Sequence, residues 1–597
     1  MTTSDELAPV ATPKMQENLD KIEALTQRLF EALAHKRAPN PALEGPGLDL
    51  YLKTGAALVK SLADNPASLL EAQVSYWGQA MKHYVDATHA LAQGTMKPPA
   101  DPGPKDRRFS NPLWDSHPYF NFVKQQYLIA AKGLEEASAR LEGLAEIDRK
   151  RIDYFTRQII DMMAPTNFLA TNPDALERAI ETEGESLVRG LENLVRDVDR
   201  NHGDLVVTLA DRDAFRVGQN IGTAEGSVVY RNRMFELIQY KPTTETVHKT
   251  PLLIFPPWIN KFYILDLKPA NSLIRWIVDQ GFTLFVVSWK NPDRSYADVG
   301  MEDYVQDGFL TAIEQVKQIT REKKVNAVGY CIAGTTLSLT LALMEKRKDR
   351  SVNSATFFTT LTDFSDQGEF TSFLQDDFVD GIEAQCNADG VLSSYFMTRT
   401  FSFLRANDLI WQPAIRSYML GEAPPAFDLL FWNGDSTNLP GRMAVEYLRG
   451  LCQEDLFAGK GFPLMGEVLR VSDVKVPLCA IACETDHIAP WISSFNGIAQ
   501  MGSADKTFIL SESGHIAGIV NPPSKIKYGH YTSEAPVHNP NEWKGMATRH
   551  EGSWWPRWGA WLAGRSGAMV PAREPGDAAH PVLAAAPGTY VGEAVSA

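Results

Sequence analysis

Five short apolar runs constrain the fold of this chain most strongly. They begin after about residue 204, are rich in β-branched residues, and alternate with segments of helical length. Buried strands of a parallel sheet have this pattern, because helices cover both faces of such a sheet. The sequence therefore predicts an α/β architecture for this part of the chain. The five runs are PLLIFPP, FTLFVVSW, VNAVGY, VPLCAIAC and KTFILS.

The first third of the chain has helical periodicity instead. Apolar positions from Met15 to Leu33 fall on one helical face, and helical pattern dominates again from 109 to about 200. Asn172 followed by Pro173 is a helix start signal. Packing or dimerisation is the expected role of this region. The expected organisation is a helical region over 1–204, with disorder at 1–13 and a linker at 97–108, a catalytic domain over 205–574, and a flexible tail over 575–597.

Charge and composition narrow the class of function. The 597 residues carry a net charge of −15, which argues against nucleic-acid binding because phosphate backbones favour basic surfaces. No stretch approaches the ~18 uninterrupted apolar residues that a membrane span needs, and no signal peptide is visible. The five cysteines are few and lack paired CxxC motifs, which favours free thiols in a reducing compartment. We therefore expect a cytoplasmic protein without a structural metal.

The hexapeptide GYCIAG, residues 329–334, contains the strongest local signal for chemistry. A β-like run precedes Cys331 and a helix-prone run follows it, so the thiol would lie at a tight turn between strand and helix. Small neighbours suit a strained turn, and the start of a helix favours a thiolate. The strict pattern has Gly where this chain has Ala333. From the hexapeptide alone, a buried structural cysteine is the alternative.

An acid and a histidine follow in the positions that such a site requires. Asp486 comes just after VPLCAIAC, and His515 comes just after KTFILS. α/β-Hydrolases present nucleophile, acid and histidine in this chain order, each on a loop after a strand. The sequence therefore predicts an α/β-hydrolase fold with a triad of Cys331, Asp486 and His515. Glu484 is an alternative acid, and His487 is expected to pack the loop or contact substrate rather than act as the base.

A large insertion is expected between the nucleophile and the acid. Cys331 and Asp486 are 155 residues apart, far more than one strand and one helix require. We therefore expect a cap at about 362–461. This segment is rich in aromatic residues, most of which suit a core, and some of which could line a passage for an apolar acyl chain.

A thiol in place of a serine favours acyl transfer over hydrolysis. Cysteine forms a thioester, which stays activated and passes its acyl group readily to a hydroxyl. If the donor is also a thioester, such as an acyl-CoA, loading is close to an even exchange and transfer to an alcohol is downhill. His515 would accept the proton, and Asp486 would orient the imidazole or help to activate the hydroxyl. The expected oxyanion donors are the backbone N–H groups of Ile332 and of Trp258 or Ile259.

Long strings around these residues resemble the polyhydroxyalkanoate synthase family. They include GYCIAGTTL, ETDHIAPW, SGHIAGIVNPP, FWNGDSTNLP and GSWWPRWGAWLAGRSG, within a resemblance that runs from about residue 109 to about 573. It implies that Cys331 carries the growing chain as a thioester, with Asp486 and His515 as the catalytic pair. Trp432 resembles a tryptophan that the family associates with the dimer or active-site region, with core packing as the alternative. The family commonly has Gly at the position of Ala333.

The length and single-polypeptide layout resemble the class I type. That likeness implies a homodimer that transfers short-chain (R)-3-hydroxyacyl units from CoA to the hydroxyl end of a growing polyester, without a metal or cofactor. The insoluble product implies movement from the cytoplasm to the surface of polyester granules, with granule-associated proteins as candidate partners. Arg405 and Asn407 could help to hold CoA, or be structural. The competing functions are a thioesterase or intracellular polyester depolymerase and, more remotely, a granule-associated structural protein.

Overall fold

The computed structural model describes most of the chain: residues 13–34, 106–201 and 203–593, with a few positions between 52 and 85. No helix among these residues is long and apolar enough to cross a membrane. The expected disorder at 1–13 and the expected linker at 97–108 lie almost wholly outside them. The chain divides into two compact units, which are Met1–Asp211 with Arg399–Pro425, and Arg212–Thr398 with Ala426–Ala597.

The division differs from the domain boundaries expected from the sequence. The second unit begins at Arg212 rather than at 205. Residues 399–425, which the sequence assigned to the cap, group with the helical unit. The reason is close packing within the first unit, between the helix that contains Gly190 and the backbone at Tyr418. A Cβ on Gly190 would lie only 2.0 Å from the Tyr418 carbonyl oxygen. The Tyr418 hydroxyl also donates to the buried Asp197 at 2.8 Å.

The first unit is helical, as predicted. The Asn172 side chain accepts the N–H of Ala175 at 3.1 Å, so this residue starts a helix as expected. The α-helices that the structure describes in this unit, outside residues 399–425, include Pro13–Leu33, Leu113–Ser116, Pro118–Ala139, Glu146–Met162, Pro173–Glu181 and Glu185–Arg200.

The second unit combines strands and helices. Its strands, in chain order within the described residues, are β1 (Gly226–Arg231), β2 (Phe235–Tyr240), β3 (Thr246–His248), β4 (Leu252–Phe255), β5 (Leu284–Trp289), β6 (Val325–Tyr330), β7 (Val352–Phe358), β8 (Val391–Leu392), β9 (Leu439–Pro440), β10 (Phe462–Leu464), β11 (Glu467–Leu469), β12 (Leu478–Cys483), β13 (Lys506–Ser511), β14 (His530–Thr532), β15 (Thr548–His550), β16 (Met569–Pro571) and β17 (Ala584–Ala585). Its α-helices of six or more residues are Leu273–Asp279, Thr311–Thr320, Ile332–Lys346, Asp376–Asp389, Asp428–Asn433, Gly441–Glu446, Trp491–Gln500, Pro540–Gly545 and Trp555–Ala563, while Ser394–Leu404 contains the division between the units.

Within the described residues, eleven strands form one mixed sheet in the order β15-β14-β13-β12-β7-β6-β4-β5-β2-β1-β17. The six strands from β13 to β5 in this order run parallel, and those at both edges are antiparallel. The five apolar runs form β4, β5, β6, β12 and β13, so the predicted parallel sheet is confirmed. The carboxyl ends of parallel strands lie at one edge, which brings the loops after β4, β6, β12 and β13 to the same edge.

Residues 575–593 correct the expectation of a flexible tail. β17 pairs with β1 at the end of the sheet. Glu236, fully buried in β2, accepts the N–H groups of Thr589 at 2.8 Å and Tyr590 at 3.0 Å. A buried carboxylate needs such donors. The segment therefore has a fixed place, which its Ala-, Pro- and Gly-rich composition did not indicate.

Candidate active site

Cys331 lies at the turn between β6 and helix Ile332–Lys346. Its φ of 54° and ψ of −124° fall in a region that side-chain-bearing residues rarely adopt, at a strain of about 1–3 kcal/mol. The Cys331 N–H donates to the Phe358 carbonyl at 2.8 Å, and its carbonyl accepts the Gly334 N–H at 2.8 Å. The predicted strand, tight turn and helix are confirmed, and β7 fixes the turn from the side.

Two glycines allow this turn to form. A Cβ on Gly329 would lie 2.5 Å from the Cα of Gly334, and a Cβ on Gly334 would lie 2.0 Å from Oγ1 of Thr360. Neither site has room for a larger residue. Ala333, in contrast, is fully buried within the helix and has no positive φ. The departure from the family pattern at Ala333 therefore has no cost for the backbone of the turn.

Asp486 and His515 are in direct contact. Asp486 Oδ2 lies 2.7 Å from His515 Nδ1, and both residues are 8% exposed. Asp486 Oδ1 accepts the N–H groups of Ile488 and Ala489, both at 2.9 Å. These bonds hold the carboxylate in one orientation, so that its second oxygen can fix the tautomer and orientation of the imidazole.

The electrostatics around His515 favour its charged form. Burial alone lowers the pKa of His515, but the charge of Asp486, followed by the interaction with Cys331, raises that pKa well above its ordinary value. Cys331 and Asp486 thus act on the same imidazole, and the three predicted residues are neighbours. An imidazole that becomes a cation by taking up the proton of a neighbouring thiol activates a cysteine nucleophile.

The other four cysteines lack such surroundings. All five thiols are free, and Cys331 alone among them is not buried. Burial raises the pKa of Cys386 to about 12 and raises the pKa of Cys483 well above its ordinary value. A thiolate is the nucleophilic form of cysteine. The geometry therefore favours Cys331 over the alternative of a structural cysteine at this turn.

The three expected oxyanion donors lie on two segments at the same edge of the sheet. Ile332 is the first residue of its helix, so its N–H has no acceptor within the helix. Trp258 and Ile259 lie in the loop after β4 and are buried. The Trp258 indole donates to Thr336 Oγ1 at 3.1 Å, which ties this loop to the helix that follows Cys331. Their role as donors stays a prediction.

The alternative acid and the neighbouring histidine occupy other positions. Glu484 forms an ion pair with Lys544 at 2.8 Å, whereas Asp486 contacts His515. The geometry therefore favours Asp486 as the acid. His487 lies on the same turn and is half-buried, and its contact with substrate stays a prediction.

The remaining predicted substrate residues each have a contact within their own unit. Trp432 is 5% exposed, and its indole donates to the Lys261 carbonyl at 2.7 Å, which fits the core-packing alternative. Arg405 pairs with Asp408 at 3.0 Å. Arg405 and Asn407 belong to the first unit and the triad to the second, and a contact with CoA stays a prediction.

Two tryptophans that sequence analysis did not single out support the turn after His515. Trp554 Nε1 donates to the Gly518 carbonyl at 2.8 Å, and Trp555 Nε1 donates to the Ile519 carbonyl at 2.9 Å. The string SWWPRW was the only available signal, and buried tryptophans in such a string would ordinarily be assigned to a core. Here their polar edges also fix the backbone that follows the histidine.

Two family models match the chain. One, described as the N-terminus of poly-beta-hydroxybutyrate polymerase (PhaC), matches residues 105–277. The other, described as the alpha/beta hydrolase fold, matches residues 251–522, a range that contains the three predicted triad residues. The predicted α/β-hydrolase fold with a helical N-terminal region is confirmed.

Curated relatives match almost the whole chain. A poly(3-hydroxyalkanoate) polymerase from Methylorubrum extorquens is 41% identical over 557 residues, which are 93% of this chain and 92% of that protein. A poly(3-hydroxyalkanoate) polymerase subunit PhaC from Rhizobium meliloti is 38% identical over 95% of this chain and 93% of its own. The corresponding subunit from Cupriavidus necator is 40% identical over 92% of this chain and 90% of its own. The chain therefore belongs to the poly(3-hydroxyalkanoate) polymerase family and is an enzyme of the transferase class.

Proposed function

We propose that this enzyme polymerises (R)-3-hydroxyacyl-CoA into a polyester and releases CoA, with Cys331 carrying the acyl chain as a thioester. The observation that carries the proposal is the position of Cys331 at a strained turn beside the buried Asp486–His515 pair. Membership of the family supports polyester synthesis, and the residues supply a route for it.

The first half of the reaction loads the cysteine. His515 accepts the thiol proton, and the Cys331 sulfur attacks the carbonyl carbon of the acyl-CoA thioester. The negative oxygen that forms is stabilised by the N–H of Ile332 and a second N–H from the loop after β4. As the carbon–sulfur bond to CoA breaks, His515 returns the proton and CoA leaves as a thiol. One thioester replaces another, so this step is close to an even exchange.

The second half extends the polymer. A hydroxyl at the end of an acyl chain attacks the Cys331 thioester, and His515 accepts the hydroxyl proton. The ester forms as the bond to sulfur breaks, and the proton passes to the sulfur. The product is an oxygen ester, so transfer from the thioester is downhill, provided that water is kept from the site. Asp486 keeps the imidazole oriented and stabilises its charge in both halves.

The finer parts of the assignment are proposals as well. Short-chain substrates such as (R)-3-hydroxybutyryl-CoA, the class I type and a homodimer rest on the resemblance of the chain to its family. The same holds for movement to the surface of polyester granules and for granule-associated proteins as partners. For Trp432 we propose a structural role, because its indole N–H already donates a hydrogen bond to the Lys261 carbonyl.

Incubation of the purified protein with (R)-3-hydroxybutyryl-CoA tests the proposal. CoA release is followed as free thiol, and polyester is collected as precipitate. Cys331→Ala should abolish both, whereas Cys386→Ala, a matched change at a buried thiol, should retain both. CoA release with soluble hydroxybutyrate would assign a thioesterase instead. Release that does not depend on Cys331 would refute the thioester route, and no release would mean that this acyl-CoA is not the substrate or that the site is inactive.

A further inference from the structure

Lys261 is a buried lysine in the loop after β4. Its side chain is 6% exposed, and its ammonium lies 2.7 Å from Asp435 Oδ1. It also donates to the Glu593 carbonyl at 3.2 Å. Lysine is rarely buried to this extent unless it is paired, because removing a charge from water is costly. This ion pair therefore joins the loop to a segment far along the chain.

Further bonds join the same two segments, which we call the β4 loop (residues 256–263) and the clasp segment (residues 432–437). Thr437 Oγ1 donates to the Trp258 carbonyl at 3.1 Å, and the Thr437 N–H donates to the Ile259 carbonyl at 3.3 Å. The Trp432 indole donates to the carbonyl of the loop lysine at 2.7 Å. Three hydrogen bonds thus hold the carbonyls of residues 258, 259 and 261 towards the clasp segment.

Tyr263 adds a polar contact to the ion pair. Its hydroxyl donates to Asp435 Oδ2 at 2.7 Å, while the other oxygen of that carboxylate binds Lys261. Burial, followed by the charge of Asp435, raises the pKa of Tyr263, so its hydroxyl stays protonated and can keep donating. One carboxylate of the clasp segment therefore binds two side chains of the β4 loop.

The β4 loop leaves the sheet next to the turn that carries the nucleophile. β4 and β6 are parallel neighbours, with Phe255 opposite Gly329, so both strands end at the same level. Cys331 follows β6 directly. The Trp258 indole reaches Thr336, on the second turn of the helix after Cys331. The backbone held by the clasp segment is therefore adjacent to the site where the acyl group would form.

The orientation of one peptide group distinguishes the two candidate donors. In a trans peptide the C=O and the following N–H point in opposite directions. Because Thr437 holds the Trp258 carbonyl on the side of the clasp segment, the Ile259 N–H of the same peptide points the other way. Ile259 rather than Trp258 is thus the donor whose direction the clasp segment sets.

We propose that Thr437 and Lys261 are positioning residues, which orient the 258–259 peptide so that the Ile259 N–H stabilises the oxyanion formed at Cys331. The proposal rests on the proposed acyl transfer and deepens it. The hydroxyl of Thr437 sets the direction of the peptide, and the ion pair that the buried Lys261 forms with Asp435 anchors the loop that contains it. Both act through the backbone and need no contact with substrate.

Two reactions of the same thiol separate positioning from general damage. Acyl transfer passes through an oxyanion, whereas alkylation of Cys331 by iodoacetamide does not and reports only on the thiol and its imidazole. Thr437→Val removes the hydroxyl at nearly constant shape and should lower kcat by about 10-fold to 100-fold, below the 10²–10³ typical of deleting an oxyanion donor outright. The KM and the alkylation rate should change less than twofold. Thr437→Ser keeps the hydroxyl and should retain kcat.

Lys261 is tested together with its partner Asp435, and a second lysine–aspartate pair, Lys268 with Asp428, serves as the control. Lys261→Met should lower kcat in the same way but also removes the cation beside the half-buried Asp435 carboxylate, which lowers the melting temperature. Adding Asp435→Asn should restore much of the melting temperature while kcat stays low. Lys268→Met breaks a pair between an exposed lysine and the buried Asp428, at 2.8 Å and outside the β4 loop, and should leave kcat unchanged.

Each outcome of these experiments either supports or overturns the positioning role of Thr437 and Lys261. A parallel fall in alkylation and acyl transfer, a Thr437→Ser variant as slow as Thr437→Val, or unchanged kcat in Thr437→Val and Lys261→Met would overturn the positioning role. Failure of the proposed function looks different, because CoA release by the unmodified protein would then be absent or independent of Cys331. The proposal is supported if kcat falls in Thr437→Val and Lys261→Met while the alkylation rate does not. Thr437→Ser should retain kcat, and adding Asp435→Asn to Lys261→Met should restore the melting temperature but not kcat.

Discussion

The exchange of Asp486 for asparagine tests the charge on which the proposed chemistry depends. Asp486 Oδ1 accepts two backbone N–H groups at 2.9 Å, while Oδ2 contacts His515 Nδ1 at 2.7 Å. Asparagine can keep the two backbone bonds through its carbonyl oxygen and place its amide at the position of Oδ2. The amide donates, so Nδ1 must accept. The imidazole then carries its proton on Nε2 and cannot take one from a thiol or hydroxyl.

The expected magnitude follows from this change of tautomer. Comparable exchanges in serine triads lower kcat by about 10⁴, or about 5.5 kcal/mol, and we expect a fall of about 10²–10⁴-fold for Asp486→Asn. The negative charge that raises the pKa of His515 is also lost. In the unmodified protein the cation persists at neutral pH and is lost only as the pH rises through the raised pKa. In the variant the imidazole loses its positive charge at a lower pH, so it activates Cys331 less well at pH 6. Alkylation of Cys331 at pH 6 should therefore be slower as well.

The assay compares CoA release from (R)-3-hydroxybutyryl-CoA with the rate of iodoacetamide alkylation. Glu484→Gln is the matched control, because it removes a carboxylate from the same loop whose partner is Lys544. That variant should retain kcat within about twofold, as expected for a surface pair. Loss of CoA release in Glu484→Gln together with retention in Asp486→Asn would refute the assignment of the acid.

Three further predictions concern the turn and the pH dependence of stability. Gly334→Ala would bring a Cβ to 2.0 Å from Thr360 Oγ1, so denaturant unfolding should show a loss of about 1–3 kcal/mol; no loss would contradict the packing argument. Ala333→Gly, which introduces the residue common in the family, should lower stability by about 1 kcal/mol and change kcat less than twofold. Burial raises the pKa of Asp455 to about 6, so its carboxylate disfavours folding increasingly as the pH rises from the unfolded value near 3.8 through about 6. Asp455→Asn should therefore stabilise the protein at pH 8 by about 1 kcal/mol after allowance for its partial exposure, by about half as much at pH 5 and hardly at all near pH 3, as measured by denaturant unfolding; an equal gain at all three values would contradict this reasoning.

The parts of the fold that could be predicted are those encoded by neighbouring residues. Each buried parallel strand is apolar along its length, so five runs sufficed to indicate the sheet and its parallel centre. The three residues of the triad could be predicted because each closely follows such a run. Asn172 likewise starts a helix through a bond to a residue three positions away.

The parts that could not be predicted depend on partners far along the chain. Residues 584–585 form a strand only because β1 is available to pair with them, and the buried Glu236 selects the segment around Thr589. Residues 399–425 group with the helical unit because Gly190 leaves room for the backbone at Tyr418. Composition indicated a tail and the spacing of Cys331 and Asp486 indicated a cap, because neither contains information about these pairings.

The same distinction separates the nucleophile from the oxyanion donor. The geometry of Cys331 is set by its own turn and the adjacent strand, and a hexapeptide is enough to suggest it. The β4 loop is held instead by contacts such as Trp432 to Lys261, 171 residues apart, and Thr437 to Trp258, 179 residues apart. A chain with the three triad strings but an altered clasp segment should therefore keep a thiol that alkylates normally while transferring acyl groups slowly. On the proposed mechanism, motifs around the triad identify the reactive side chains, whereas the rate of acyl transfer depends on a segment that lies outside those motifs.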